Sequence, residues 1–227
     1  MSGSLRPYFV LFGSSIVQYS FFAEGWGAIL SHLYARKDAR VQPSLVIVCF
    51  GGNDSSTKHS SGLGPHVPLE EYVENVRKIV NHLKSLSENT RILFLGVPPI
   101  NDAVIAINSD GQPSRTNESC RIYSEACLKV CSEMNIKAID LWSAIQTVDN
   151  WQDVCFIDGI HFTAEGSKIT WREILKVLKE AEWEPSLHWS SMPSEFGEDS
   201  PYDPVAADGN STQNLSNLAY PHEDFWL

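Results

Sequence analysis

Four short runs of the chain are apolar at consecutive rather than alternate positions: Tyr8 to Phe12, Ser44 to Phe50, Arg91 to Val97 and Lys137 to Leu141. That pattern belongs to strands covered on both faces, so these runs are predicted to be buried parallel strands. Between and after them, apolar residues recur at three-and-four spacing over Phe22 to Tyr34, Leu69 to Leu86, Ser114 to Met134 and Thr163 to Glu182, the signature of helices with one apolar face. Pro68, with Glu70 and Glu71 close behind it, marks the start of the second helix. Thr163 is a candidate N-cap for the last, with Glu165 in the first turn, where a carboxylate suits the helix dipole. Strands alternating with helices predict an α/β fold with a doubly wound parallel sheet.

In such sheets ligands gather at the carboxyl ends of the strands. Four stretches qualify: Gly13-Ser14-Ser15, Gly51-Gly52-Asn53-Asp54, Pro98-Pro99-Ile100-Asn101, and Asp158-Gly159-Ile160-His161 ahead of the last helix. All but the third carry groups that acyl transfer requires. A serine hydroxyl becomes a useful nucleophile when an imidazole takes its proton, and the imidazole needs a carboxylate to fix its tautomer. Asp158 and His161, three positions apart on one loop, can turn toward a common point over the sheet. Asn53, behind two glycines that let the backbone approach closely, can aim its amide into the same site as a donor. Each of these has an ordinary alternative, a capping Asp with a surface His, or a plain Gly-Asn-Asp turn.

Composition narrows the setting. The chain has 227 residues, 43% hydrophobic and 20% charged, enough for one globular domain with a substantial core. The formal charge of −11 is unevenly placed. The 44 residues from Glu184 to Leu227 carry eight acids and no Lys or Arg, leaving −3 for the rest. The expected organisation is a folded domain over residues 1–183 and an acidic, disordered tail over 184–227, rich in Pro, Ser and Asn and ending in the aromatic Asp224-Phe225-Trp226-Leu227. No basic stripe suited to phosphate backbones is present, so nucleic acid is not an expected partner. No run approaches the ~20 apolar residues of a membrane span, and the amino terminus lacks the pattern of a signal peptide. Cys49, Cys120, Cys127, Cys131 and Cys155 are odd in number and have no CxxC spacing, as expected of reduced thiols in a cytoplasmic protein. Cys120, Cys127 and Cys131 fall at helical spacing and are expected to be buried or half-buried, and Trp26, Trp142, Trp151 and Trp171 are expected in the core.

The stretches VLFGSSIVQYSF, GWGAIL, LYARK, PSLVIVCFGGNDSS, GVPPIN and DGIHFTAEGSKI together resemble the SGNH hydrolases, also called GDSL esterases/lipases, over about residues 7–189. Within that family they resemble the plant esterases related to isoamyl acetate-hydrolysing esterase. The resemblance implies a three-layer α/β/α, flavodoxin-like parallel sheet. It implies Ser15 as nucleophile, His161 as general base and Asp158 as its orienter. The oxyanion hole is drawn from the Ser15 backbone N–H and the Asn53 side chain, and the substrate pocket from Gly52, Asp54 and Pro98. Gly-Ser-Ser-Ile replaces the family's Gly-Asp-Ser-Leu, so Ser14 occupies a turn position where the family carries Asp. The loop from Thr57 to Pro68, with His59 and His66, is expected to overhang the site.

One departure is large. The family carries, between the first helix and the Gly-x-Asn-Asp strand, another strand ending in a glycine loop, then another helix. Here Leu33-Tyr34-Ala35-Arg36-Lys37 runs almost directly into Val41-Gln42-Pro43-Ser44. The second strand and following helix are therefore expected to be missing, and with them a third oxyanion donor, a glycine N–H. In the family's strand order 2-1-3-4-5 the missing strand is an edge. Its loss leaves the first strand as an edge and demands either a left-handed first crossover or a helix moved to the other face. Three functions compete on this sequence: a serine esterase for small carboxylic esters acting through an acyl-enzyme, an impaired variant that binds a ligand or partner, and a metal-dependent hydrolase using His161, Asp158 and Asp54. The last lacks HExxH or a second histidine at ligand spacing. No metal or organic cofactor is expected, because nucleophile, base and oxyanion donors are all protein groups.

Overall fold

A computed structural model of the chain describes residues 8–22, 24–35, 37, 44–108 and 114–192. In chain order the elements are β1 (Phe9–Gly13), α1 (Ser15–Gln18) running into a 3₁₀ turn (Tyr19–Phe21), α2 (Trp26–Tyr34), β2 (Leu45–Cys49), α3 (Leu69–Leu86) and β3 (Arg91–Leu95). There follow α4 (Asp102–Asn108), α5 (Asn117–Glu133), β4 (Lys137–Ile139), α6 (Leu141–Ile145), α7 (Trp151–Val154) and α8 (Ala164–Glu180). The four strands form one parallel sheet in the order β1-β2-β3-β4, with Gly13 opposite Cys49 and Val48 opposite Phe94.

Side chains that alternate along each strand feed two separate cores. Leu45, Ile47, Leu93, Leu95 and Ile139 face one side, where α2 (Trp26, Leu30, Tyr34) and α8 (Trp171, Ile174, Leu178) cover them. Val46, Val48, Ile92 and Phe94 face the other, under α3 (Tyr72, Val76, Val80) and α5 (Cys120, Tyr123, Cys127, Val130, Cys131). The result is three layers, α/β/α. The apolar runs were continuous because β2 and β3 are covered twice, every residue of β2 being buried. Helix starts follow their chemistry. The Thr163 side chain accepts from the Gly166 N–H, and Thr116 with Ser119 forms a reciprocal capping box that starts α5 at Asn117, three residues inside the expected start. The last strand is shorter than expected because Asp140 caps α6 through the Ser143 N–H.

The first crossover answers the topological question. The α3 and α5 passages link β2 to β3 and β3 to β4 on one face, whereas α2 links β1 to β2 on the other. Passages on opposite faces between strands that advance in one direction have opposite hands. With α3 and α5 in the usual right hand, the β1–α2–β2 passage is left-handed, an arrangement found in about 2% of such connections. Residues 38–43, in the middle of that passage, lie outside the described residues. Among the described residues β1 is a sheet edge, bordered by Tyr8, 58% exposed.

Packing also continues beyond Glu184, where the acidic segment was expected to begin. Leu187 and Met192 are buried in the α2/α8 core, and the Tyr34 hydroxyl donates to the Leu187 carbonyl at 2.7 Å. Apolar side chains at 183, 187, 189 and 192 provide contacts that net acidity does not reveal. The remainder of the acidic stretch, with Phe225 and Trp226, lies outside the described residues.

Gly13 closes β1 against β2 with no room for a side chain: a Cβ there would lie 2.5 Å from the Cys49 carbonyl oxygen and 2.5 Å from Val17 Cγ2. Gly13→Ala is expected to destabilise the fold by about 1–3 kcal/mol, the usual cost of overpacking, read from the midpoint of urea unfolding. An unchanged midpoint would show that the two strand ends part without cost.

Candidate active site

Each candidate group is set at a strand end or on a turn that local hydrogen bonds define. Behind Gly13, Ser14 has a non-helical backbone and its carbonyl accepts from the N–H groups of Val17 at 3.0 Å and Gln18 at 2.9 Å, so it starts α1 through its backbone while its side chain caps nothing. Ser15 is the first residue of α1 and half-buried. Its N–H is one of the first-turn amides that no intrahelical carbonyl accepts.

After β2, Gly51 adopts φ +113°, and a Cβ there would strike Val97 at 2.5 Å and the Tyr72 hydroxyl at 2.7 Å, so only glycine serves. The turn is then locked by Ser55 N–H to the Gly51 carbonyl (2.9 Å), Ser55 Oγ–H to the Gly52 carbonyl (3.0 Å) and Ser56 N–H to the Asn53 carbonyl (3.1 Å). The Asn53 side-chain oxygen accepts from Arg115 Nη2 at 3.2 Å.

The Asp158 turn is the most tightly tied of the three. Oδ1 accepts from the backbone N–H of Ile160 (3.0 Å) and of His161 (2.8 Å), and Oδ2 lies 2.6 Å from His161 Nδ1. Gly159 takes φ +88° between them, and the Ile157 N–H donates to the His161 carbonyl at 2.8 Å. A carboxylate only accepts, so Nδ1 carries the proton and Nε2 is left as the free lone pair. Burial pushes the Asp158 carboxyl up, but the His161 N–H, the His161 ring and the Ile160 N–H together outweigh it, so its pKa lies below the ordinary carboxylate value. The Tyr19 ring, on the 3₁₀ turn that extends α1, meets the His161 ring edge to face at 4.7 Å.

Ser14, Ser15, Gly52, Asn53 and Pro98 line one small cavity of about 20 Å³, room for about one water, together with Ile160 from the Asp158–His161 turn. The structure thus brings Ser15, Asn53, Gly52 and Pro98 to a common wall. Asp158 and His161 are bonded to each other beside it; no hydrogen bond joins Ser15 Oγ to His161 among the described residues. Asp54 is not on that wall. Its carboxyl is half-buried, and burial raises its pKa above the ordinary value. His59 and His66 do not reach the cavity either: His59 Nδ1 pairs with Ser61 Oγ at 2.6 Å and His66 Nδ1–H with the Asp54 carbonyl at 3.1 Å, so both organise their own loop.

The pattern along the chain did not single out Arg115. It is 9% exposed, lines the same cavity as Ser15, and its Nε finds no hydrogen-bond partner among the described residues. Burial lowers its pKa, against the favourable influence of Cys120 and of the Asp158 carboxylate. A signal existed: a cation one residue before the N-cap of α5 sits at the wrong end of the helix dipole, which needs another reason to be there. Among the described residues no group of three or more His, Cys, Asp or Glu is arranged to hold a metal ion.

The GDSL-like Lipase/Acylhydrolase family matches residues 23–169, a stretch that includes Asn53, Asp158 and His161 and starts after Ser15. The chain belongs to the GDSL-like lipase/acylhydrolase family. That places it among the carboxylic ester hydrolases. It is 54% identical to the GDSL esterase/lipase WDL1 of Oryza sativa subsp. japonica, over 97% of this chain and 96% of the relative. It is 53% identical to the GDSL esterase/lipase CPRD49 of Arabidopsis thaliana, over the whole of both. That second alignment runs over 255 positions against the 227 residues here, so the Arabidopsis relative has at least 28 residues without a counterpart in this chain. Among solved structures, the lipase/acylhydrolase from Enterococcus faecalis superposes with a TM-score of 0.60 at 16% identity, over 77% of this chain and 96% of that one, which is a likeness of fold. No helix among the described residues is long and apolar enough to cross a membrane.

Proposed function

We propose that this member of the family is a serine esterase of small carboxylic esters, working through an acyl-enzyme at Ser15. The observation that carries the proposal is the shared cavity: Ser15 and Asn53 line it together, and Ile160, also on its wall, belongs to the turn that holds His161 on Asp158. In this scheme His161 Nε2 takes the proton of Ser15 Oγ–H as the oxygen attacks the ester carbonyl carbon. The carbonyl π pair moves to oxygen, where the Ser15 N–H and the Asn53 amide receive it. The tetrahedral intermediate collapses, the C–O bond to the alcohol breaks, and His161 returns the proton to the departing oxygen. Water then repeats the sequence on the acyl-serine and frees the acid. Asp158 holds the ring with Nδ1–H inward and offsets the positive charge it gains. So small a cavity favours a short acyl group over a long one. The five cysteines, all free and all buried, suit a reducing, cytoplasmic setting.

A second reading, an impaired hydrolase that retains a ligand site, draws on the β1 edge, the left-handed passage and the residues of the Arabidopsis relative that have no counterpart here, among which the family resemblance implies a glycine oxyanion donor. Loss of one such donor typically costs 10²–10³ in rate. Hydrolysis of p-nitrophenyl acetate and p-nitrophenyl butyrate by the purified protein, with circular dichroism as the fold check, separates the two. Turnover with acetate ahead of butyrate supports the esterase; a folded protein with no turnover supports the impaired variant.

A further inference from the structure

An asparagine in an oxyanion site helps only when its NH₂, not its carbonyl, faces the developing charge, and the two ends of the amide are nearly identical in shape. Nothing in the Gly51–Ser56 turn decides between them, since every hydrogen bond that locks that turn uses the Asn53 backbone or its neighbours. The one described partner of the Asn53 side chain is Arg115 Nη2 at 3.2 Å. A guanidinium has five donors and no acceptor, so the atom it meets is the oxygen, and the NH₂ is turned the other way. Arg115 is itself buried and lines the cavity with Ser15 and Asn53; its Nη1 lies 3.8 Å from where a Gly52 Cβ would be. Placing this cation ahead of the positive end of α5 opposes the helix dipole, a cost that a structural cap would avoid.

We propose that Arg115 is a positioning residue: it holds the Asn53 carboxamide oxygen so that the Asn53 NH₂ faces the cavity beside Ser15. The role rests on the esterase proposal for its chemistry and on the hydrogen bond alone for its geometry.

Four variants and one spectrum test it. Arg115→Met removes every donor at similar length, Arg115→Lys keeps one, Asn53→Ala removes the amide, and the fourth combines Arg115→Met with Asn53→Ala. Asn53→Ala is expected to lower kcat on p-nitrophenyl acetate by about 10²–10³, and Arg115→Met by about 10- to 100-fold, each with KM within about threefold. The double variant should fall within about threefold of Asn53→Ala alone, because Arg115 acts through the amide that is already gone. Arg115→Lys should regain part of the loss. In ¹H–¹⁵N spectra, the side-chain NH₂ pair assigned by its disappearance in Asn53→Ala should shift in Arg115→Met. The proposal is overturned if the two losses multiply in the double variant, if Arg115→Met retains wild-type kcat, or if the Asn53 NH₂ pair is unmoved. Should the wild-type protein hydrolyse no ester, the esterase proposal fails on that result, and the NH₂ pair in folded Arg115→Met or Arg115→Lys still decides the positioning role.

Discussion

Ser15→Ala is expected to lower kcat on p-nitrophenyl acetate by roughly 10⁵- to 10⁶-fold, leaving only what binding and the oxyanion donors sustain without a nucleophile. The size follows from the mechanism. Proton transfer, attack and the division of one hard step into two all pass through a single oxygen, so its removal forfeits them together. Stability should hardly change, because Ser15 is half-buried at the start of a four-residue helix that Ser14 initiates through its backbone carbonyl. Thermal unfolding within about a degree of wild type, alongside the collapse in turnover, is the expected pair of results. Retained turnover would move the nucleophile elsewhere, and Ser14, on the same cavity wall, would be the next serine to substitute.

Asp158→Asn is expected to cost about 10⁴ in kcat. The side chain keeps its shape, and its oxygen can still accept from the Ile160 and His161 N–H groups as Oδ1 does now. The atom facing His161 Nδ1 then becomes an NH₂ donor. It holds the tautomer with Nδ1 bare and Nε2 protonated, which cannot take the Ser15 proton. The same substitution tests the charge of Asp158 in a second way. Its pKa is depressed in the folded protein, so its contribution to stability is present above the unfolded carboxylate value of about 3.9 and is lost as pH falls through the folded value. The stability difference between wild type and Asp158→Asn, followed by urea unfolding, should therefore narrow as pH drops below about 4. A difference that stays constant from pH 7 to pH 3 would mean that the carboxylate gains nothing from its three hydrogen bonds.

Where the chain alone located elements, it did so through physics that survives without tertiary context. Doubly covered strands leave uninterrupted apolar runs, as in Leu45–Cys49, and a helix with one wet face leaves Tyr72, Val76 and Val80 at fourfold spacing. Ser15 and Asn53, picked out as candidates by strand-end glycines, meet on one cavity wall, and Asp158 and His161, picked out by their spacing, are bonded to each other. What stayed hidden depends on partners distant in sequence. The helix expected from Phe22 begins only at Trp26: the Gly25 N–H donates to the Phe22 carbonyl, Glu24 takes φ +59°, and Gly25 has no space for a Cβ beside the Ser20 carbonyl. Arg115 reads as a surface charge until Asn53, 62 positions away, is placed beneath it. The hand of the first crossover is likewise absent from any local pattern. It depends on α2 packing against α8, on the face of the sheet opposite α3 and α5.

The identity of the nucleophile is tested most directly by an organophosphonate that leaves a stable adduct on an activated serine. Intact-mass and peptide mass spectrometry of the treated protein should show one adduct, on the peptide carrying Ser15, formed at the rate at which p-nitrophenyl acetate hydrolysis is lost and absent in His161→Ala. An adduct on another residue, or full loss of turnover with Ser15 unmodified, would contradict the account.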